Sequence, residues 1–312
     1  MSIQPNSKTL IMVVGPTAVG KTAMAIRLAT YFHTSIISAD SRQFYREMSI
    51  GTAKPTAEEL NEAPHFFINS HSIASEYSAG DFERESLAKL QDLFETSDVV
   101  VAVGGSGLFV RALMEGLDDL PKASDEIRNT LNSAFKEFGL EPLKSRLKAI
   151  DPAYYAVADV DNPQRVIRAL EVFEASGYPI SHFLKNEQRK RPFQVICVGL
   201  NMDRARLYDR INLRVDLMIQ SGLLQEVESL QEYRHKPALL TVGYAELFEF
   251  LDQQRSFDEA VALIKQNSRR YAKRQITWFK KYGQTTWFDP QDFDGILKHI
   301  MHQIPQHSKS DH

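Results

Sequence analysis

Thr9-Leu10-Ile11-Met12-Val13-Val14 runs straight into Gly15-Pro16-Thr17-Ala18-Val19-Gly20-Lys21-Thr22, and this stretch decides the fold. A strand-like run, the pattern G-x-x-x-x-G-K-T and the helix-friendly AMAIRLATYF that follows read together as strand, phosphate-binding loop and helix. The glycines let successive backbone N–H groups curl around an anion, and the helix aims the positive end of its dipole at the same point. Lys21 adds a movable point charge, and Thr22 offers a hydroxyl to a magnesium ion carried by the phosphates. ATP is the commonest occupant of such a loop, but the loop alone does not say which phosphate it holds.

Outward from the loop, strand-like and helix-like segments alternate. Thr34–Ser38, His65–Ile68 and Val99–Val103 read as further strands, and Ala79–Glu95 repeats Phe82, Leu87, Leu90 and Phe94 near helical spacing. Alternating β and α units imply a parallel sheet with helices on both faces. From Leu120-Pro121 to Arg191 the chain keeps helical periodicity but shows no convincing strand, with a helix start at Ser124-Asp125-Glu126 and a stop at Ser176-Gly177-Tyr178-Pro179. Phe193–Leu200 then resumes as a strand, and helices are expected over Ala205–Gln220 and from Phe257 to about Lys281. The expected organisation is an α/β core over 1–120 and 192–312, interrupted by a helical insertion over 121–191. The tail after Pro305 is polar and expected to fray.

Composition narrows the function classes. The 312 residues are 43% hydrophobic and 25% charged, favouring neither disorder nor a membrane protein. No apolar run approaches the ~20 residues that span a bilayer. No signal peptide is expected, and Cys197 as the single cysteine fits a reducing cytoplasm and excludes a cysteine-based metal site. A net charge of −3 speaks against indiscriminate nucleic-acid coating. Between Glu259 and Asp289, however, there is no acidic residue, while Lys265, Arg269, Arg270, Lys273, Arg274, Lys280 and Lys281 alternate with Tyr271, Trp278, Phe279 and Tyr282. Unopposed positives interleaved with aromatics point to a phosphate-backbone contact rather than a merely solvated face.

Three elements are expected beside the loop. Asp40-Ser41-Arg42-Gln43 follows the second strand, where an acid could serve as a general base, hold magnesium through water, or simply cap a turn. Gly104-Gly105-Ser106-Gly107 ends a strand that in many nucleotide hydrolases ends in a magnesium-organising aspartate. Asp98 lies at the wrong end of that strand, so a motor or switch hydrolase is disfavoured, and the glycines point to close approach of a substrate. Arg210 and Arg214, one helical turn apart, can face one anion or form a solvated face with Asp209 and Asp216.

GPTAVGKT, DSRQFYREMSIGTAKP (40–55), YSAGDF (77–82), VGGSGLFVRALMEGL (103–117), NPQRVIRALEVFEASG (162–177) and KRQITWFKK (273–281) together resemble the tRNA dimethylallyltransferases, from the loop to about Trp287. That resemblance implies a P-loop NTPase-like, nucleotide-kinase-related core and a helical insertion that clamps the anticodon stem-loop of tRNA. It also implies transfer of a dimethylallyl group from dimethylallyl pyrophosphate to N6 of the adenosine 3′ of the anticodon, in tRNAs reading codons that start with U. The loop would hold the leaving pyrophosphate with Mg2+ at Thr22, Lys21 and Arg214 would stabilise its charge (Arg210 as runner-up), and Asp40 would take the N6 proton.

By the same resemblance Ser41 and Gln43 would help read the base edge and Arg42 would meet the tRNA, with Ser106 close to the reacting centre. Arg128, Gln164, Arg165, Val166, Ile167, Arg168 and the segment Lys273, Arg274, Gln275, Ile276, Thr277, Trp278, Phe279 and Lys280 would meet the tRNA, Trp278 doubling as a core anchor. Ser106 and Phe109 replace the family's usual threonine and tyrosine. A monomer away from membranes is expected. An ATP-dependent kinase of a nucleotide or metabolite is the rival reading.

Overall fold

The computed structural model describes residues 8–185, 189–281 and 284–304. The tail expected after Pro305 and Tyr282 of the basic stretch lie outside these residues. Two compact units emerge, one formed by Met1–Glu115 with Lys190–His312, the other by Gly116–Arg189.

The strands are β1 (Thr9–Val14), β2 (Ile36–Ser38), β3 (His65–Phe66), β4 (Val99–Gly104), β5 (Gln194–Leu200) and β6 (Thr285–Phe288). The helices are α1 (Lys21–Tyr31), α2 (Ala57–Glu62), α3 (Ala79–Thr96), α4 (Gly107–Glu115), α5 (Asp125–Phe138), α6 (Glu141–Ile150), α7 (Pro152–Val157), α8 (Pro163–Ser176), α9 (Arg204–Gln220), α10 (Leu223–Ser229), α11 (Tyr244–Leu251), α12 (Phe257–Lys281) and α13 (Phe293–Gln303).

In the first unit the strands form one parallel sheet in the order β3-β2-β4-β1-β5-β6. All six residues of β1 are buried, and each large aliphatic side chain among them contributes about 1.5–3 kcal/mol by leaving water. Register places the working rim: Val14 lies opposite Gly104 on one side and Gly199 on the other, and Ser38 opposite Val103. The residues that follow β1, β2 and β4 therefore emerge side by side at the carboxyl edge, where parallel sheets bind ligands.

Two expected strands are shorter than read. β2 begins only at Ile36 because Thr34 N–H turns back to Ala29 O at 2.9 Å, closing the end of α1. β3 stops at Phe66 because Phe67 takes a φ of 65° and leaves the sheet. α3 runs as its spacing predicts, with a Ser78–Asp81 capping box and Phe82, Leu90 and Phe94 buried on one face. β6 was not expected. It is a four-residue edge strand carrying two threonines, bonded to β5 alone, and too short to announce itself.

The second unit contains no strand among the described residues. α5, α6 and α8 pack Leu131, Leu143, Leu147, Val166 and Leu170 into its core. α8 opens with Asn162 capping Gln164 and Arg165 N–H ahead of Pro163, and closes on Gly177 at φ 75°, a left-handed stop that favours glycine. Among the described residues, no helix is long and apolar enough to cross a membrane.

Candidate active site

The phosphate loop leaves β1 through Gly15, whose φ of 148° and a virtual Cβ only 2.5 Å from Leu200 O admit no side chain. Ala18 takes a left-handed φ of 64°, curling the amides around one concavity at the start of α1. Lys21 Nζ donates to Pro16 O at 2.8 Å. Burial drives the Lys21 ammonium down to about 8. The Asp40 carboxylate pulls it back up and the Arg214 guanidinium pushes it further down.

Asp40, Lys21 and Arg214 thus form one electrostatic group. Burial also lowers Arg214, with Asp40 as its opposing charge. Asp40 sits where β2 ends, and its Oδ1 accepts from Arg42 N–H at 3.0 Å, so the turn-capping role is real and leaves the second oxygen for chemistry. The two arginines, read as facing one anion, do different things. Arg210 Nε donates to Ala18 O at 2.8 Å and props the loop from outside, whereas Arg214 lines a cavity with Asp40.

That cavity encloses about 170 Å3. Thr17, Asp40, Ser41, Arg42 and Arg214 are among its polar lining residues, and Ile211, Val215, Met218, Val242 and Ile264 supply apolar lining. One compartment can therefore place an anion and a short hydrocarbon side by side. Ser106 Oγ accepts from Ser41 N–H at 3.0 Å and donates to Ser41 Oγ at 3.0 Å, tying the ends of β2 and β4 together. The Tyr271 hydroxyl joins this group at Ser106, and its pKa is pushed up to about 12, mainly by burial and next by the Asp40 charge.

Several expected contacts take other jobs. Gln43, read as meeting the base, spends its amide on Ser38 Oγ, Thr52 O and Ala53 O, bracing the 48–53 loop. Gln275, read as meeting tRNA, is buried and bonds Thr17 N–H and Gly105 O. The glycines at the end of β4 and just beyond it were expected to admit a substrate; instead the protein's own atoms crowd them. A Cβ on Gly104 would lie 2.6 Å from Ala39 O, and one on Gly107 2.6 Å from Trp278, which makes the tryptophan a core anchor. Phe279 is buried, and so are Val166 and Ile167 in the second unit, which withdraws all three as side-chain contacts of an RNA.

In that second unit Arg128 and Arg168 both pair with the buried Glu171, at 3.0 and 3.1 Å, while Gln164 and Arg165 stand exposed at the start of α8. On α12 the positives divide. Lys265 pairs with Asp216 and Arg269 with Asn212, both turned toward α9, so Lys265 is not unopposed after all. Arg270, Lys273, Arg274 and Lys280 are exposed, with Thr277 among them, and Ile276 is partly buried.

Sequence reasoning missed the Thr241–Tyr244 wall and Glu226. Glu226 accepts from Ser49, Ile50 and Gly51 N–H at 2.7–3.0 Å and from the Tyr244 hydroxyl at 2.6 Å, fixing the loop beside the cavity. A lone glutamate in a helix carries no signal of such a role. Phe109 is no puzzle: it packs against Phe44 and Phe82 at ring distances of 5.4 and 5.6 Å, where a hydroxyl would need a partner. Among the described residues no cluster of three or more His, Cys, Asp or Glu could hold a metal. A hard cation fits here only if phosphate oxygens supply most of its ligands, with the Thr22 hydroxyl as the protein's share.

The IPP transferase family model matches residues 43–282. A tRNA dimethylallyltransferase of Christiangramia forsetii is 50% identical over 298 residues, which span 96% of this chain and 98% of that protein. A solved full-length tRNA isopentenylpyrophosphate transferase of Bacillus halodurans superposes with a TM-score of 0.68 at 37% identity, covering 95% of each chain. A eukaryotic dimethylallyltransferase captured acting on tRNA shares the fold, with a TM-score of 0.79 at 23% identity over 97% of this chain and 82% of that one.

Proposed function

The chain belongs to the IPP transferase family, and from that premise we propose that it transfers the dimethylallyl group of dimethylallyl pyrophosphate to a tRNA adenosine. The acceptor is N6 of the adenosine 3′ of the anticodon in tRNAs that read codons starting with U. The observation that carries this reading is the compartment that Asp40 and Arg214 line together with apolar side chains, both charges being coupled to Lys21 of the phosphate loop.

Adenine N6 is a weak nucleophile because its lone pair is delocalised into the ring. Rate must come from placement and from a leaving group whose charge is met as it develops. The C1–O bond of the donor breaks with its electron pair going to pyrophosphate, and a C1–N6 bond forms. Lys21, Arg214 and the loop amides meet the growing negative charge. Asp40 accepts the proton N6 loses. Magnesium, when bound through the pyrophosphate and Thr22, supplies further neutralisation. Ile211, Val215, Met218 and Ile264 keep the allyl end dry, which shields its partly cationic carbon from water.

The exposed basic residues of α12, with Gln164 and Arg165 at the start of α8, bind the anticodon stem-loop, whose target base must be extruded at a cost of a few kcal/mol. The protein acts as a monomer. Incubation with labelled dimethylallyl pyrophosphate, Mg2+ and unmodified tRNA should yield labelled tRNA and free pyrophosphate. Movement of ATP's γ-phosphate to a metabolite with no label in tRNA would establish the kinase instead.

A further inference from the structure

Arg42 is a cation with no counter-charge of its own. Its backbone N–H is held by Asp40 Oδ1 at 3.0 Å, a turn that fixes the point from which its side chain springs. The guanidinium itself has no hydrogen-bond or ion-pair partner among the described residues. The residue is half-buried and lines the cavity with Asp40, Ser41, Arg214 and Tyr271. Among the described residues, Asp40 is the one acid in that lining, set against two arginines. A guanidinium withdrawn from water and left unpaired is costly, and it favours a place to which an anion comes.

The surroundings of Arg42 separate it from the cations of the phosphate loop. Beyond burial, the charges that Lys21 feels are those of Asp40 and Arg214. Arg42 acts on other groups: burial raises the hydroxyls of Tyr45, Tyr244 and Tyr271, and the Arg42 charge pulls each of them back down. Tyr271 also carries the Arg274 guanidinium 5.7 Å from the centre of its ring. Arg274 is one of the exposed basic residues of α12. Tyr271 thus links Arg42 to the basic face on which an RNA docks, whereas Lys21 and Arg214 attend the loop. A base extruded into the cavity draws its ribose and flanking phosphate after it.

We propose that Arg42 is a phosphate-binding residue for the acceptor, holding the RNA backbone phosphate beside the adenosine whose base enters the cavity. This rests on reading the chain as a tRNA prenyltransferase. The contact is a charge-assisted hydrogen bond that offsets part of the cost of extrusion. Because Asp40 and Arg42 share one turn, it also sets the base against the group that takes its proton.

The test uses the full chain and synthetic anticodon stem-loops in which the linkage 5′ or 3′ of the target adenosine is a methylphosphonate, a neutral replacement for the phosphate. With the wild type, one of the two replacements should weaken binding about tenfold or more, as loss of a charge-assisted hydrogen bond does. Arg42→Met should weaken the unmodified stem-loop by a similar factor and reduce the penalty of that same methylphosphonate to less than about twofold. It should also lower the slope of log K against log salt by about 0.7, the share of one phosphate on a single strand. Arg42→Lys restores a charge and should restore sensitivity to the methylphosphonate.

Two neutral linkages that cost the wild type nothing overturn the proposal. So does a methylphosphonate penalty as large in Arg42→Met as in the wild type, which an ordinary solvated arginine predicts. Calorimetry with magnesium pyrophosphate separates the two anions: a loss of pyrophosphate affinity in Arg42→Met as large as the loss for RNA would assign Arg42 to the donor instead. A wild type that transfers no prenyl label to either the unmodified stem-loop or tRNA overturns the functional reading rather than the role of Arg42.

Discussion

Lys21 holds its charge on a narrow margin, and Asp40 maintains it. Burial takes the ammonium down to about 8, against the upward pull of Asp40 and with the downward push of Arg214. The ammonium is charged below its pKa, so the loop carries its full positive charge at lower pH and loses it as pH rises through about 8. At about pH 7.5 such a group is roughly three-quarters protonated.

Asp40→Asn removes the carboxylate charge at nearly constant shape. An opposite charge at close range is worth about one pKa unit or more, so about a quarter of Lys21 would remain charged at the same pH, a roughly threefold loss. The substitution also relieves repulsion between Asp40 and the incoming anion, so absolute affinity is the wrong readout and the pH midpoint is the right one. Calorimetric titration with magnesium pyrophosphate from about pH 6.5 to about pH 9.5 gives that midpoint. The ligand's own titration is common to all variants and cancels in the difference. Asp40→Asn should move the break downward by about one unit, and Arg214→Met should move it upward. A break in Asp40→Asn at or above the wild-type position would refute the coupling of Asp40 to Lys21.

Asp40→Ala should abolish single-turnover transfer while tRNA affinity, read by filter binding, stays within about threefold, as the proton transfer proposed for the carboxylate requires. Replacing Arg270, Lys273 and Arg274 with alanine should weaken tRNA binding and reduce the slope of log K against log salt by about two to three; an unchanged slope would make these residues an ordinary solvated face. Glu226→Ala frees three backbone N–H groups and the Tyr244 hydroxyl, so urea unfolding should show a loss of about 3 kcal/mol.

The phosphate loop, the parallel sheet and the strand-poor middle were legible because each depends on local pattern. Strand, glycine spacing and helix lie within one short run from Thr9 to Tyr31, and α12 keeps the limits its periodicity predicts, Phe257–Lys281. What stayed hidden is non-local. Gln275 sits among lysines and arginines, so its neighbours in sequence suggest RNA, whereas its partners, Thr17 and Gly105, lie 258 and 170 positions away. The apolar wall draws on α9, α12 and the turn before α11, which no single window displays. Arg210 and Arg214 share a helix face in any spacing analysis, and only the placement of Ala18 O separates the arginine that props the loop from the one that lines the cavity.

α12 serves two clients from one rod. Tyr271, Gln275 and Trp278 face the catalytic rim, and Arg270, Lys273, Arg274 and Lys280 face outward. Successive residues turn about 100°, so a single inserted or deleted residue near Lys273 would swing the downstream basic face toward the rim and the glutamine toward solvent. Side chains on either face can drift independently, but the count of residues between them cannot. Length, rather than composition, is the property of this helix that selection has least room to change.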